Sequence, residues 1–323
     1  MKASIYTQYG SPDVLTIKEI ATPIPNDTEV LVKVYASTVN RTDCAMLRAK
    51  PFIMRFMTGL LKPKRPILGT DFAGRVEAVG KAVTSFKPGD RVYGFDDMGL
   101  SSHAQYLTIA ETKALSVMPE NLSYEAAAAS CEGAHYAYNF VNKVGLKSGQ
   151  RVLINGASGA IGSAAVQILK HFGLDVTAVC NTQSMALLRP LGVDQVIDYT
   201  KEDFTKMGGQ YDFIFDAVGK SSFSKCKPLL KPRGIYISSE LGWMAQNLFL
   251  ALLTPLFGGK KVIFPIPVDV KGSMLFIKKL IELNQFKAII DRQYALEQIA
   301  EAFTYVESGQ KTGNVVIVMH EQD

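Results

Sequence analysis

The chain has 323 residues, of which 47% are hydrophobic and 20% charged, with a formal net charge of +5. These values are typical of a globular protein with a substantial core, and they exclude a disordered, collagen-like or disulfide-rich chain. At about 100–200 residues per domain, the length predicts two domains or one large one. The basic residues form only short clusters, at 62–65 and 260–261, so we expect no nucleic-acid partner.

The cysteines and the first residues bear on the cellular compartment. Cys44, Cys131, Cys180 and Cys226 are widely spaced and contain no CxxC pair, which indicates reduced thiols. The opening residues MKASIYTQYG contain no apolar signal core. We therefore expect a cytoplasmic protein.

Residues 1–120 are predicted to form mostly strands and turns. β-rich runs occur at 29–36, at 72–80 and from 91 onward, and Lys87-Pro88-Gly89-Asp90 is typical of a turn. Short strands separated by glycine and proline predict a barrel-like β domain.

The pattern changes after Leu122, where helices begin to alternate with strands. Ser123 is the expected N-cap of a helix that contains the alanines at 126–129. Strands are then predicted at 151–155, 175–180, 195–198, 211–216 and 234–238, and helices at 162–172 and 184–191. This alternation predicts a parallel sheet covered by helices. Helices at 274–283 and 295–308 and a strand at 314–319 complete the chain.

The segment 243–257 is unusually apolar, although it contains Gln246 and Asn247. It is shorter than the roughly twenty apolar residues that a membrane span needs. We expect a buried or interface helix here. The alternative is a weak peripheral membrane association through 243–261, with Lys260 and Lys261 at the lipid surface.

The strongest local signal is the loop Asn155-Gly156-Ala157-Ser158-Gly159-Ala160-Ile161-Gly162, between a predicted strand and a helix. Its first glycine allows a sharp turn, its second lets the backbone approach a pyrophosphate, and its third lets the helix lie close to the strand. Free N–H groups at the helix start, together with the helix dipole, favour an anion. We therefore expect dinucleotide binding through Gly156, Ser158, Gly159, Ala160, Ile161 and Gly162. The alternative is a tight turn without a ligand.

The end of the next predicted strand bears on the choice of cofactor. It carries Cys180-Asn181-Thr182-Gln183-Ser184 and no acidic residue. An acid at this position binds the ribose 2′-hydroxyl of NAD, and its absence admits the 2′-phosphate of NADP. We expect NADPH rather than NADH, with Asn181 and Ser184 as contacts. The alternative is that both residues only cap the following helix.

Several motifs follow one another along nearly the whole chain: Gly69-Thr70-Asp71-Phe72-Ala73-Gly74, Lys87-Pro88-Gly89-Asp90-Arg91-Val92, the glycine loop, Leu191-Gly192-Val193-Asp194, Asp216-Ala217-Val218-Gly219 and the tail at 313–318. On these motifs the chain resembles the zinc-free members of the medium-chain dehydrogenase/reductase superfamily, close to the NADPH-dependent quinone oxidoreductases and alkenal reductases. The resemblance implies an α/β fold. A GroES-like β-rich catalytic domain would take 1–122 and 265–323, and an inserted Rossmann domain, with a doubly wound parallel sheet, would take 123–264. It also implies an active site in the cleft between the domains, and a homodimer.

The resemblance further implies a reaction without zinc. The zinc-dependent relatives carry Cys where Asn40 stands and a His-Glu pair where Thr70-Asp71 stands, and Asn and Thr are poor zinc ligands. Without a Lewis acid, the expected enzyme transfers hydride to a small molecule that is already polarised, a quinone or an α,β-unsaturated carbonyl compound. Asn40 is the expected donor to the developing oxygen, or else a loop cap, and Asp43 is expected to hold the loop.

Other cofactor contacts come from the resemblance alone. Tyr199 would flank the adenosine phosphate, or else pack at the sheet edge. Val218 and Gly219 would lie on the adenine side. The candidates at the nicotinamide end are Ser238, Leu241 and Ile266.

Two points stay open from the sequence. His135 stands where quinone reductases often carry Thr, and it would be either a proton source or a packed helix residue. The competing hypothesis for the whole chain is a non-catalytic nucleotide-binding protein with a structural, regulatory or RNA-binding role, because a fold does not fix a function.

Overall fold

The computed structural model describes residues 1–52 and 54–320. The strands, in chain order, are β1 (Lys2–Ile5), β2 (Thr16–Glu19), β3 (Glu29–Val39), β4 (Asp71–Val79), β5 (Arg91–Phe95), β6 (Tyr106–Ala110), β7 (Leu115–Val117), β8 (Arg151–Asn155), β9 (Asp175–Cys180), β10 (Gln195–Asp198), β11 (Tyr211–Asp216), β12 (Leu230–Ser238), β13 (Lys261–Ile263), β14 (Ile290–Ala295) and β15 (Asn314–Val318). The α-helices are α1 (Arg41–Arg48), α2 (Met54–Thr58), α3 (Tyr124–Ala129), α4 (Glu132–Val141), α5 (Ala160–His171), α6 (Met185–Leu188), α7 (Phe223–Cys226), α8 (Gln246–Leu253), α9 (Val270–Glu282) and α10 (Ile299–Glu307).

The chain divides into two compact units. The first comprises Met1–Glu132, Val270–Glu282 and the chain from Lys287 onward, and the second comprises Gly133–Asp269 and Leu283–Phe286. The first boundary therefore lies about ten residues beyond the expected 122/123, and the second lies at 269/270 rather than at 264/265. The first shift has a physical cause, because the alanines of α3 pack in one core with Ala73 and Tyr93 of the first unit.

The first unit is built mainly on antiparallel β structure, although β14 pairs with β15 in parallel. Among the described residues, its main sheet has the strand order β14-β15-β3-β4-β5-β7, and β6 pairs with β3. β1 and β2 form a separate antiparallel pair. The long strand β3 buries Val30, Val32 and Val34, whose period of two places them on one face. They belong to the same core as Phe303 of α10.

The second unit contains a parallel sheet with the strand order β10-β9-β8-β11-β12-β13, counted over the described part of the chain. From the centre of the sheet, the chain adds β8, β9 and β10 toward one edge and then β11, β12 and β13 toward the other edge. The strand order therefore reverses between β8 and β11. In an open α/β sheet, ligands bind beyond the carboxyl ends of the strands at such a reversal. The predicted α/β class, with a β-rich domain and a doubly wound sheet, is confirmed.

The segment 243–257 forms α8 with one 3₁₀ turn on each side. The expected burial of this segment is wrong, because Trp243 is 76% exposed and Phe257 80%. The interface helix and the peripheral membrane association stay predictions. Throughout residues 1–52 and 54–320, each helix is too short or too polar to cross a bilayer.

Candidate functional site

The loop between β8 and α5 has the geometry that its glycines predict. Gly156 has a φ of +79°, in the left-handed region that favours glycine. A Cβ atom on Gly162 would lie 2.1 Å from the Gly156 carbonyl oxygen, so only glycine lets α5 begin this close to the loop. A Cβ on Gly159 would meet only that same oxygen, at 3.6 Å, so the loop is open at this position.

The start of α5 can bind an anion. Gly159 is the N-cap and has no side chain, and its carbonyl accepts the first helical hydrogen bond, from Ser163 N–H. The N–H groups of Ala160, Ile161 and Gly162 therefore have no partner within the helix. The dipole of this twelve-residue helix adds partial positive charge at the same point. Open space and unpaired N–H groups fit the pyrophosphate of a dinucleotide.

A second loop, after β11, is held by a buried carboxylate. Asp216 Oδ1 accepts hydrogen bonds from Asn155 Nδ2 at 3.0 Å and from Gly219 N–H at 2.9 Å. Asp216 Oδ2 accepts one from the Tyr236 hydroxyl at 2.9 Å. The carboxylate thus joins the ends of β8, β11 and β12, and it fixes the turn at Val218 and Gly219. Sequence reasoning noted Asp216 as part of a motif but assigned it no role.

Asn181 and Ser184 make the contacts of a helix cap. Asn181 Oδ1 accepts a hydrogen bond from Ser184 N–H at 2.9 Å, and Ser184 is buried. These are the contacts of the capping alternative, and a direct contact with the ribose stays a prediction.

The carboxyl ends of β9 and β10 bring together charged and hydroxyl residues that the sequence analysis did not connect with the cofactor site. The Asp198 carboxylate accepts hydrogen bonds from the Thr182 and Thr200 hydroxyls, and these bonds lower its pKa. Lys201 Nζ lies 3.9 Å from Asp198 Oδ2. Tyr199 follows directly and its side chain is 54% exposed, unlike a packed sheet-edge residue. Parallel pairing of β10 with β9 brings the acid to this edge.

Asn40 lies in a buried polar cluster of the first unit. Its Nδ2 donates to Thr38 Oγ1 at 2.6 Å and to Asp71 Oδ2 at 3.1 Å, so both amide hydrogens are used. Asp43 accepts from Asn40 N–H at 2.9 Å and from Gly69 N–H at 3.1 Å. Asp43 therefore holds the loop that leads into α1. A donor role for Asn40 toward a substrate stays a prediction, and it would require one of these amide hydrogens.

The same cluster contains carboxyl groups that sequence reasoning did not count as site residues. Glu132 accepts hydrogen bonds from the Thr42 and Thr70 hydroxyls, both at 2.7 Å. Burial raises the pKa of Asp71 to about 7 and also raises the pKa of Asp43 and of Glu132. A carboxyl group with a pKa of about 7, as at Asp71, can hold or release a proton near neutral pH. The available sequence signal for Glu132 was its place next to Cys131, just after the alanines at 126–129.

A histidine completes this polar cluster. The pKa of the buried His103 imidazole is lowered to about 4, chiefly by desolvation. Its Nε2 lies 2.9 Å from the Thr38 carbonyl oxygen. The imidazole is therefore neutral at physiological pH and it supports the strand that carries Thr38.

The side chains of the polar cluster bear on the zinc question. Within the described residues, no three His, Cys, Asp or Glu side chains form a group that could hold a metal ion. The expected absence of zinc stays a prediction, and it rests on the chemistry of the Asn40 and Thr70 side chains. Asn40 presents an amide nitrogen to its neighbours, and the Thr70 hydroxyl donates to Glu132. Neither is a good zinc ligand.

The residues predicted at the nicotinamide end, Ser238, Leu241 and Ile266, all belong to the second unit and differ in their contacts and exposure. Ser238 ends β12, is buried, and accepts a hydrogen bond from Glu240 N–H at 3.3 Å. The Leu241 carbonyl accepts from the backbone at the start of α8, and Ile266 is 64% exposed. Their place at the nicotinamide end stays a prediction. His135 is buried on α4, as in its packed-helix alternative.

Comparison with known proteins gives consistent matches over the chain. The family model described as the alcohol dehydrogenase GroES-like domain matches residues 26–120, and the one described as zinc-binding dehydrogenase matches residues 191–317. The 2-methylene-furan-3-one reductase of Solanum lycopersicum is 33% identical over 98% of this chain and 79% of its own length. The chloroplastic NADPH-dependent alkenal/one oxidoreductase of Arabidopsis thaliana is 30% identical with the same coverage.

A solved structure is also similar to this chain over nearly its whole length. The quinone oxidoreductase from Coxiella burnetii has a TM-score of 0.85 at 25% identity, and the match covers 99% of both chains. The similarity thus extends through both compact units.

Proposed function

Because the chain belongs to the medium-chain dehydrogenase/reductase superfamily, we propose that it is an NADPH-dependent oxidoreductase that reduces quinones or α,β-unsaturated carbonyl compounds. One observation carries the proposal. Over 98% of this chain, a relative at 33% identity is a furanone reductase and one at 30% is an alkenal/one oxidoreductase. The glycine loop supports it, because its open N–H groups fit a dinucleotide pyrophosphate.

When bound, the nicotinamide cofactor supplies the hydride. The residues of the chain bind and orient it. The N–H groups at 160–162 would hold the pyrophosphate, and Gly159 leaves room for it. Val218 and Gly219 would border the adenine side, where Asp216 fixes their backbone through Gly219 N–H.

The preference for NADPH rests on the edge formed by β9 and β10. The end of β9 carries no acid, and Lys201 offers a positive charge to a 2′-phosphate. The Asp198 carboxylate would repel that phosphate, because both groups are anionic. The hydrogen bonds from Thr182 and Thr200 and the nearby lysine offset part of its charge. NADH is the weaker ligand in this proposal.

For the reaction itself, we propose that Asn40, in a site without zinc, gives up one of its two amide hydrogen bonds and donates that hydrogen to the oxygen that gains charge. Asp71 and Thr38 orient its amide, and Asp43 holds the loop. Reduction of an enone also needs a proton at the carbon beside the carbonyl. Asp71, with a pKa raised to about 7, supports an internal proton store, and water supplies the proton otherwise.

The partners in this proposal are small, polarised acceptors. The homodimer and the cytoplasmic location stay predictions.

A titration tests the proposal. NADPH and NADH are each titrated into the protein while nicotinamide fluorescence is followed, and 9,10-phenanthrenequinone or 1-octen-3-one is then added. We expect tighter binding of NADPH and its oxidation by at least one acceptor. Tight binding without oxidation would favour the non-catalytic nucleotide-binding hypothesis. No binding of either cofactor would contradict the role of the glycine loop.

A further inference from the structure

Glu132 is a buried carboxyl group to which the proposed reaction gives no role. The residue is only 7% exposed. Its Oε1 accepts a hydrogen bond from the Thr42 hydroxyl and its Oε2 accepts one from the Thr70 hydroxyl, both at 2.7 Å. A hydroxyl group can donate one hydrogen bond and accept others. A carboxyl group held between two hydroxyls can therefore exchange a proton with either of them.

The two threonines bring Glu132 next to the residues of the proposed reaction. Asn40 is the N-cap of α1, and Thr42 belongs to the first turn of the same helix. Thr70 directly precedes Asp71, whose Oδ2 accepts a hydrogen bond from Asn40 Nδ2 at 3.1 Å. Both hydrogen-bond partners of Glu132 are thus close in the chain to the Asn40–Asp71 pair.

The two hydroxyl partners of Glu132 differ in their access to solvent. Thr70 is fully buried, whereas Thr42 is half-buried. The hydroxyl that donates to Asp71 belongs to Thr38, which is fully buried as well. Thr42 is therefore the hydroxyl that contacts a buried acid on one side and is open to a small molecule on the other.

The surroundings of Glu132 favour its protonated form. Burial raises the pKa of Glu132 well above its ordinary value, and the charges of Asp43 and Asp71 raise it further, against the hydrogen bonds from the threonines. Lys311 is a cation that interacts with Glu132, although burial lowers the pKa of Lys311 to about 8. The other titratable neighbours are thiols whose pKa is raised by burial, at Cys44 and Cys131.

We infer that Glu132 supplies the proton of the reductase reaction through the Thr42 hydroxyl, which touches the acceptor. This inference rests on the proposed reductase function. In the protonated form, the Glu132 hydroxyl donates to Thr42 Oγ1, so the hydrogen of Thr42 is free to point at the acceptor oxygen. As the acceptor gains the hydride, its oxygen takes the proton of Thr42, and Thr42 takes the proton of Glu132.

The products of this transfer balance for both classes of acceptor. A quinone becomes a hydroquinone, and an enone becomes an enol that rearranges to the ketone in water. Glu132 is left as a carboxylate that accepts hydrogen bonds from both threonines, which is the arrangement in the structure. It then regains a proton from water.

Glu132→Gln tests the inference, because glutamine can donate to one threonine and accept from the other but has no proton to release. The rate of NADPH oxidation is measured in single turnovers with 1-octen-3-one and with 9,10-phenanthrenequinone, from about pH 5 to about pH 10. We expect the rate of the unchanged protein to fall as pH rises, because ionised Glu132 has no proton to give. Glu132→Gln should lower the rate about 100-fold and remove this fall. Its Kd for NADPH should stay unchanged.

Changes at the two threonines give matched controls. Thr42→Val removes the hydroxyl that passes the proton on and should behave like Glu132→Gln, whereas Thr42→Ser keeps a hydroxyl and should keep the rate. Thr70→Val removes the other hydrogen bond, which favours the carboxylate form. We expect Thr70→Val to retain the fall in rate and to move it to higher pH.

The inference and the proposed function fail in different ways. If Glu132→Gln or Thr42→Val kept either the full rate or the same fall with pH, the inference would be overturned, and Asp71 would remain as the proton store. A rate of the unchanged protein that stays constant to about pH 10 would overturn it too, because an effective acid has a pKa near the working pH. If the unchanged protein bound NADPH but oxidised none of it with either acceptor, the proposed function itself would fail.

Discussion

In the glycine loop, Gly162→Ala should lower stability as well as NADPH binding, whereas Gly159→Ala should weaken NADPH binding alone. At Gly162 the new Cβ would lie 2.1 Å from the Gly156 carbonyl oxygen and 2.7 Å from the Ala157 Cα, both backbone atoms that cannot turn aside. Overpacking of this kind costs up to about 3 kcal/mol, and the better helix propensity of alanine offsets about 1 kcal/mol. We expect Gly162→Ala to lower the free energy of unfolding by about 2 kcal/mol and to weaken NADPH binding.

At Gly159 the added Cβ has only an ordinary contact, at 3.6 Å, and the φ of −74° suits alanine. The loss of the better cap residue should cost under about 1 kcal/mol. The methyl group would nevertheless occupy the space proposed for the pyrophosphate. We therefore expect Gly159→Ala to fold normally and to bind NADPH at least tenfold more weakly, which corresponds to about 1.4 kcal/mol.

Denaturant unfolding measures the free energy of unfolding, and fluorescence titration with NADPH measures the affinity for the cofactor. Gly208→Ala is the control, because a Cβ there has nothing within 4 Å. If Gly159→Ala bound NADPH as tightly as the unchanged protein, the assignment of the pyrophosphate to this loop would be refuted. If Gly162→Ala kept full stability, the close packing of α5 on the loop would be refuted.

Three further changes test the other sites. Tyr236→Phe removes a donor to buried Asp216 and should cost about 1–2 kcal/mol in denaturant unfolding, and an unchanged midpoint would contradict this. Lys201→Ala should weaken NADPH binding several-fold and leave NADH binding unchanged, and equal losses would exclude a 2′-phosphate contact. The raised pKa of Asp71 means that the folded state keeps a proton between pH 4 and about 7. The stability cost of Asp71→Asn should therefore shrink as pH rises through this window, and a growing cost would contradict it.

The parallel sheet could be predicted closely from the sequence. The predicted strands at 151–155, 175–180, 195–198 and 211–216 coincide with β8 to β11, because each is an apolar run bounded by turn residues. Ser123 caps α3 as expected, with its hydroxyl accepting from Ala126 N–H. The glycine loop was predictable for the same reason, since its whole signal lies within eight consecutive residues.

The other site features depend on contacts between distant segments. Glu132 lies 90 residues from Thr42 and 62 from Thr70 along the chain, so no local pattern joins them. The meeting of Asp198 with Thr182 follows from the pairing of β10 with β9. The exposure of Phe249 and Leu252 on one side of α8 could not be predicted either. An apolar run indicates burial, but it does not show which of its two sides the protein itself covers.

Transfer of a labelled hydride tests the central claim most directly. The protein is incubated with 1-octen-3-one and NADPH deuterated at C4, with the two C4 epimers used separately, and the octanone product is analysed by mass spectrometry. The same labels are followed with 9,10-phenanthrenequinone as loss of deuterium from the cofactor. We predict that one epimer, and only one, delivers its deuterium. No deuterium transfer from either epimer to either acceptor, while NADPH stays bound, would contradict the account.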